Sequence, residues 1–101
     1  MLYTKTNSAI LALMGERLKE YRLRSEMRHK DLALHAGVSV TTIGRAEKGL
    51  PISSKSLVAI LRSLQMLENI ELLIPEPPIS PRLIREWQET KKKRIKKPRH
   101  E

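Results

Sequence analysis

Apolar positions recur along this chain at three- and four-residue steps, the spacing of helix faces, and nowhere alternate over a run that would make a strand. Leu11, Met14, Leu18 and Tyr21 share one face of a first helix, which starts from Asn7 or Ser8 as N-cap and ends near Arg24. A second, short helix covers about His29–Ala36, with Asp31 in its first turn, where an anion suits the helix dipole. Gly37 ends it by supplying the positive φ of a tight turn. Ser39 caps a third helix, about Val40–Lys48, which Gly49 closes and Pro51 keeps from continuing. Ser53 caps a fourth, about Ser54–Leu64, with Leu57, Leu61 and Leu64 facing the core. A fifth, about Leu67–Ile74, presents Leu67, Ile70 and Ile74 inward.

The pattern then changes. Pro75, Pro77, Pro78 and Pro81 fall close together and predict a stiff linker. Ser80-Pro81 is a good helix start, and Leu83, Ile84 and Trp87 form a short apolar stripe after it. Lys91–Arg99 follows without an acid and predicts a solvated, disordered tail. The expected architecture is all-α: a five-helix domain over residues 1–74, then a Pro-rich linker and a short basic helix or tail over 75–101.

Charge narrows the choice of partner. The chain carries a formal charge of +9, and residues 28–66 alone hold six Lys/Arg against two acids. That excess suits a polyanion; DNA, RNA and anionic lipid all satisfy it. With no Cys there is neither a disulfide framework nor a thiolate metal site, which fits a reducing cytosol. The apolar run Ala9–Met14 is too short for the core of a secretion signal, and no stretch approaches the roughly 18–20 apolar residues of a membrane span. His29, His35 and His100 have no metal-ligand spacing, and neither a Gly-rich phosphate loop nor a nucleophile with its base is present. The expectation is a cytoplasmic, nucleoid-associated, non-enzymatic binding protein with no cofactor, no metal and no membrane partner.

The segment Arg28–Gly49, RHKDLALHAGVSVTTIGRAEKG, carries the most specific signal. Two short helices crossing steeply need a tight turn, which Gly37 permits, and a close approach, which the small Ala33 permits. Leu32, Val38 and Ile43 fill the space between them. Ser39 leaves the N-terminal end of the third helix exposed, and such an end can enter a major groove about 12 Å wide.

Over residues 16–66 the chain resembles the Xre/Cro/repressor family of helix-turn-helix domains, on Arg22, Leu32-Ala33, Gly37-Val38-Ser39, Thr42-Ile43, Glu47 and Gly49. The resemblance implies a repressor-like domain with a structural ion pair between Arg22 and Glu47. It places base reading at Val40, Thr41, Gly44 and Arg45. The Arg45 fork can bond guanine O6 and N7 together, and Val40 and Thr41 can offer methyl contact to thymine. Gly44 costs about 1 kcal/mol relative to Ala inside a helix, which implies either close approach of DNA or backbone, or no purpose at all. Phosphate contacts map to Arg28, His29, Ser39, Thr42, Lys48 and Lys55. Two positions depart from the pattern: Arg28 stands where a Ser/Thr cap is usual, and His29 where Gln is usual. Imidazole can donate to phosphate but cannot make the two-ended amide contact; a solvated His29 is the other reading.

The segment Leu67–Leu83, LENIELLIPEPPISPRL, resembles the region after the DNA-binding domain in HipB-type antitoxin regulators, partners of HipA-type kinase toxins. That likeness implies a homodimer on a palindromic DNA operator, with a kinase toxin as partner. Leu83, Ile84 and Trp87 become docking candidates, unless Trp87 folds back onto the small domain. A stand-alone repressor of the Xre family, a toxin-docking adaptor and an RNA-associated basic protein remain the alternatives.

Overall fold

The computed structural model describes residues 1–96, and their regular structure is entirely helical. After a 3-10 turn at Leu2–Thr4 come α1 (Asn7–Arg24), α2 (His29–Ala36), α3 (Val40–Glu47), α4 (Ser54–Ser63), α5 (Asn69–Leu73) and α6 (Pro81–Lys96). Local chemistry sets the boundaries. Thr6, not Asn7 or Ser8, caps α1, its hydroxyl accepting the Ala9 N–H at 3.1 Å. Ser39 and Ser53 cap α3 and α4, accepting from Thr42 N–H and Ser56 N–H, both at 3.0 Å. At the start of α2, Arg28 has no acceptor to offer, so only half a capping box forms: the Asp31 carboxylate accepts the Arg28 N–H at 2.8 Å. Gly37, at φ 73°, donates its N–H to Ala33 O at 2.9 Å and turns the chain into α3 within three residues.

The core is aliphatic. Leu32, Ile43 and Ile60 are fully buried, joined by Leu18, Ala33, Ala46, Leu61 and Leu64, while Met27, Val38, Ile52 and Leu57 close its edges. All three aromatic residues, Tyr3, Tyr21 and Trp87, stand largely outside it. The α2–α3 packing expected from Leu32, Ala33, Val38 and Ile43 is present. Ile60 completes a stripe with Leu57, Leu61 and Leu64 at helical spacing on α4.

The approach of α1 to the end of α3 is close enough to exclude side chains. A Cβ on Gly15 would lie 2.5 Å from Glu47 O and 2.6 Å from Ala46 O. A Cβ on Gly49, which sits at φ 78°, would lie 2.6 Å from the Ala12 Cα. Beside this backbone contact Arg22 and Glu47 are both buried, with side chains 8% and 7% exposed. Arg22 Nε donates to Glu47 Oε2 at 2.6 Å and Nη2 to Oε1 at 3.2 Å, while Nη1 donates to Met27 O at 2.8 Å. His29 Nε2 lies 3.0 Å from the same Oε1. Burial alone would raise the Glu47 pKa; the Arg22 hydrogen bonds and then His29 outweigh it and hold the carboxyl below its ordinary value.

The structure corrects one of the inward-facing positions and decides several points that patterning left open. Tyr21 is 46% exposed, because the buried line on α1 runs Leu18 to Arg22: the ion pair draws the Arg inward and leaves the Tyr at the rim. Ile74 is 74% exposed rather than inward-facing; α5 ends at Leu73, since Pro75 disfavours helical backbone at the residue before it. Of the two forms open to the basic run, short helix or tail, it takes the helix through Lys96, in keeping with cations favoured near a helix C-terminus; the rest of that run, 97–99, lies outside the described residues. Trp87 does not fold back onto the domain. It is 63% exposed and, with Ile84, lines an open groove shared with Pro77, Pro78 and Ile79 of its own linker, with Lys91 Nζ 4.9 Å above its ring.

Gly15→Ala should destabilise the protein by about 1–3 kcal/mol, since only backbone faces the added methyl and neither helix can yield without shifting. Gly44→Ala, where a Cβ meets nothing, should instead stabilise it by up to about 1 kcal/mol. Urea midpoints moving in the same direction for both would contradict this packing. Replacing Glu47 with Gln strands a buried guanidinium and should cost about 3–5 kcal/mol. Because the folded carboxyl titrates below its unfolded counterpart, its contribution is complete above the ordinary carboxylate range, about pH 4.3, and is lost as pH falls through the lower folded value. The wild type should therefore lose stability below that range more steeply than Glu47→Gln, in denaturation series from pH 6 down to about pH 3.

Candidate nucleic-acid interface

The N-terminal end and outer side of α3 face solvent. Val40 is 48% exposed, and Thr41 and Arg45 are exposed. Helical spacing sets Val40 and Thr41 one turn before Gly44 and Arg45, so the four expected base readers share this side. The space at Gly44 is open: no heavy atom of the rest of the chain comes within 4 Å of where its Cβ would be. Close approach by the protein's own backbone is thus removed as the reason for that glycine.

The Arg45 side chain is not adrift in solvent. Its Nε and Nη2 donate to Pro51 O at 3.2 and 2.9 Å. The Arg45 carbonyl in turn accepts the Leu50 N–H at 2.9 Å, a closing bond that Gly49 allows by taking the left-handed conformation.

The residues expected on phosphate divide into those with protein partners and those without. Ser39 and Thr42 bond one another, their hydroxyl oxygens 2.9 Å apart. Arg28 donates from Nε and Nη2 to Asp31 at 3.1 and 3.3 Å. The same pairing lowers the Asp31 pKa, through the Arg28 side chain first and its backbone N–H second. His29, 43% exposed at its side chain, directs Nε2 to Glu47 instead of standing free in solvent. Lys48, at the end of α3, and Lys55, in the first turn of α4, are exposed, with no carboxylate in ion-pair range among the described residues.

Packing of α1 and α2 onto α3 forms a shallow recess that sequence reasoning did not foresee. Lys19, Arg22, His29, Gly44, Glu47 and Lys48 line it. Glu47 already carries Arg22, so the exposed Lys19 and Lys48 give this recess its surplus positive charge. Lys19 lies three residues before Arg22, on the next turn of α1, and that spacing was the available signal.

The docking candidates lie apart from this face. Leu83 and Ile84 are in the first turn of α6 and Trp87 in the next. Ile84 and Trp87, together with the linker residues Pro77, Pro78 and Ile79, line an open apolar groove. The described helices include none long and apolar enough to cross a membrane.

Comparisons with known proteins agree with this geometry. Over 82 residues the chain is 33% identical to a protein of Methanoculleus marisnigri (strain ATCC 35101 / DSM 1498 / JR1) named "Putative HTH-type transcriptional regulatory protein". The match takes in 76% of this chain and 27% of that relative, so the chain spans about a quarter of the relative's length. A family model described as a helix-turn-helix domain matches residues 13–66, from the middle of α1 to just past α4 and more than half of the chain. With the α2–α3 crossing, the open N-terminus of α3 and the Arg22–Glu47 brace already in place, this chain belongs to the helix-turn-helix domain family.

Proposed function

We propose that this chain is a sequence-specific, duplex-DNA-binding transcriptional regulator. The observation that carries the reading is the exposed outer side of α3, with Val40, Thr41, Gly44 and Arg45 together on it and, flanking it, lysines that have no ion-pair partner among the described residues. Arg45 reads a guanine, and Val40 and Thr41 offer methyl contact to thymine. The open space at Gly44 admits the DNA surface. Lys48, Lys55 and Lys19 contact phosphates, and His29 and Arg28 add phosphate contact from the start of α2. Ser39 and Thr42 approach phosphate at the start of α3, where helix N–H groups and dipole favour an anion.

The regulator acts as a homodimer on a palindromic operator, because two recognition helices must meet major grooves one helical turn apart. Exposed Leu72, Leu73, Ile74 and Ile79 supply apolar surface of the kind such association covers. We take residues 1–74 as the DNA-binding unit and 75–101 as an appendage that docks a second protein through Leu83, Ile84 and Trp87. In the finer reading that protein is a HipA-type kinase toxin, and the chain is its autorepressing, HipB-like antitoxin. The apolar groove beside Trp87 favours a second reading, in which the chain is chiefly a docking adaptor. The expected setting is cytoplasmic, on the nucleoid, without a cofactor or an enzymatic activity.

Selection from a library of duplexes randomised over roughly 20 base pairs, two helical turns, should yield a palindromic consensus. On that consensus Arg45→Ala should cost about 1–3 kcal/mol and relax preference at one base position, whereas Lys48→Ala should weaken all sequences alike and reduce the salt slope by about 1. Unchanged affinity and selectivity in Arg45→Ala would remove it as a base reader. Truncation after Ile74 separates the two readings: the regulator keeps operator selectivity while losing its association with the second protein. Loss of selectivity with the appendage would overturn the domain division.

A further inference from the structure

The bond between Arg45 and Pro51 bears on how a single side chain on α3 can be selective. An exposed arginine samples many rotamers, and fixing it on a base costs side-chain entropy. Arg45 is exposed, yet one edge of its guanidinium is held. Nε and Nη2 together donate to the single carbonyl oxygen of Pro51. No other acceptor engages it among the described residues. The opposite edge, formed by Nη1 and the outer hydrogen of Nη2, therefore remains available. That edge is itself a two-donor fork of the kind that meets guanine O6 and N7.

The carbonyl is itself well fixed. Proline locks its own φ, which limits where Pro51 O can point. The loop before it is tied to the same residue, because Leu50 N–H donates to Arg45 O at 2.9 Å. Gly49 is pressed against Ala12 of α1. Arg45 thus grips its own exit loop twice, through its backbone at Leu50 and through its side chain at Pro51, and Gly49 of that loop lies against the first helix.

We infer that Pro51 is a specificity-determining positioning residue: its backbone carbonyl holds the Nε–Nη2 edge of Arg45 so that the free Nη1–Nη2 edge reads guanine from a preset orientation. This rests on the proposed role of Arg45 as a base reader and adds the reason it is selective. Preorganisation of this kind raises affinity for the matching base without adding a contact to DNA. It also disfavours bases that would require the side chain to swing, so its loss relaxes selectivity rather than lowering binding evenly.

The test uses the full chain and the randomised duplex library. Wild type should enrich one guanine per half-site, and Arg45→Ala should lose that enrichment. Pro51→Gly frees the carbonyl and should lower the preference for that guanine over the other bases by roughly three- to tenfold, leaving preference at other positions and the salt slope unchanged. As a second variant, semisynthesis replaces the Ile52 backbone amide with an ester. That weakens the Pro51 carbonyl as an acceptor and deletes an N–H with no hydrogen bond among the described residues, while every side chain is kept. It should reproduce the narrow loss of guanine preference even if Pro51→Gly folds poorly. In the free wild-type protein, the Arg45 Nε–H should exchange more slowly than those of the exposed Arg17 and Arg62, and the ester should speed it. Full guanine preference in the ester variant, or in a folded Pro51→Gly, overturns the inference while leaving Arg45 as reader. Full guanine preference in Arg45→Ala overturns both.

Discussion

The buried pair of Arg22 and Glu47 is the interaction on which the recognition face depends. It ties the last turn of α1 to the last residue of α3, at a point where the two backbones already touch through Gly15. Hydrophobic contacts alone would leave α3 free to rotate about its axis, because its buried side chains, Ile43 and Ala46, are few and one is small. Two hydrogen bonds from a planar guanidinium to a carboxylate are directional, so they set that rotation. They also carry the cost of keeping two charges from water, and the third Arg22 bond, to Met27 O, helps offset it. Met27 lies just ahead of α2, so a single guanidinium orients the first three helices together.

Much of this fold was legible in the sequence because its boundaries are local events. Ser39, Ser53, Gly37 and Gly49 act on their immediate neighbours, and their chemistry places the ends of α2, α3 and α4 within a residue or two. The shift from Asn7 or Ser8 to Thr6 as the cap of α1 is a competition among adjacent polar residues that periodicity cannot resolve. Tyr21 and Arg22 show a different limit. Sequence patterning ranks side chains by polarity, yet here the polar one is buried because a partner 25 residues away satisfies it. Gly15 sits in an otherwise regular helical stripe, and only the arrival of another backbone gives it a purpose. Ile74 follows the helical spacing, but its backbone obeys Pro75.

The interface divides along the same line. The positions on α3 follow from one helix and one resemblance, and the structure leaves their shared side open. The recess lined by Lys19, His29 and Lys48 draws on three helices and has no linear signature beyond the spacing of Lys19 from Arg22. The link from Arg45 to Pro51 spans only six residues, yet it depends on the left-handed turn at Gly49, which a reading by periodicity treats only as a helix stop.

In the proposed function these features sort the cations by chemistry. The arginines of this face, Arg22, Arg28 and Arg45, each use a fork on a protein acceptor, whereas Lys19, Lys48 and Lys55 have no carboxylate in range among the described residues. Arginine presents donors in a fixed plane and suits a task of orientation; lysine is a hydrated point charge on a flexible stem and suits contact with phosphates of any sequence. Affinity common to all sequences then rests mainly on the lysines, and preference among sequences mainly on Arg45. The lysine contribution weakens as salt releases the counterion advantage, while the geometry imposed by Glu47 and Pro51 lies within the protein and is screened far less. Raising ionic strength should for that reason weaken binding to all DNA more than it erodes the ranking of one sequence over another.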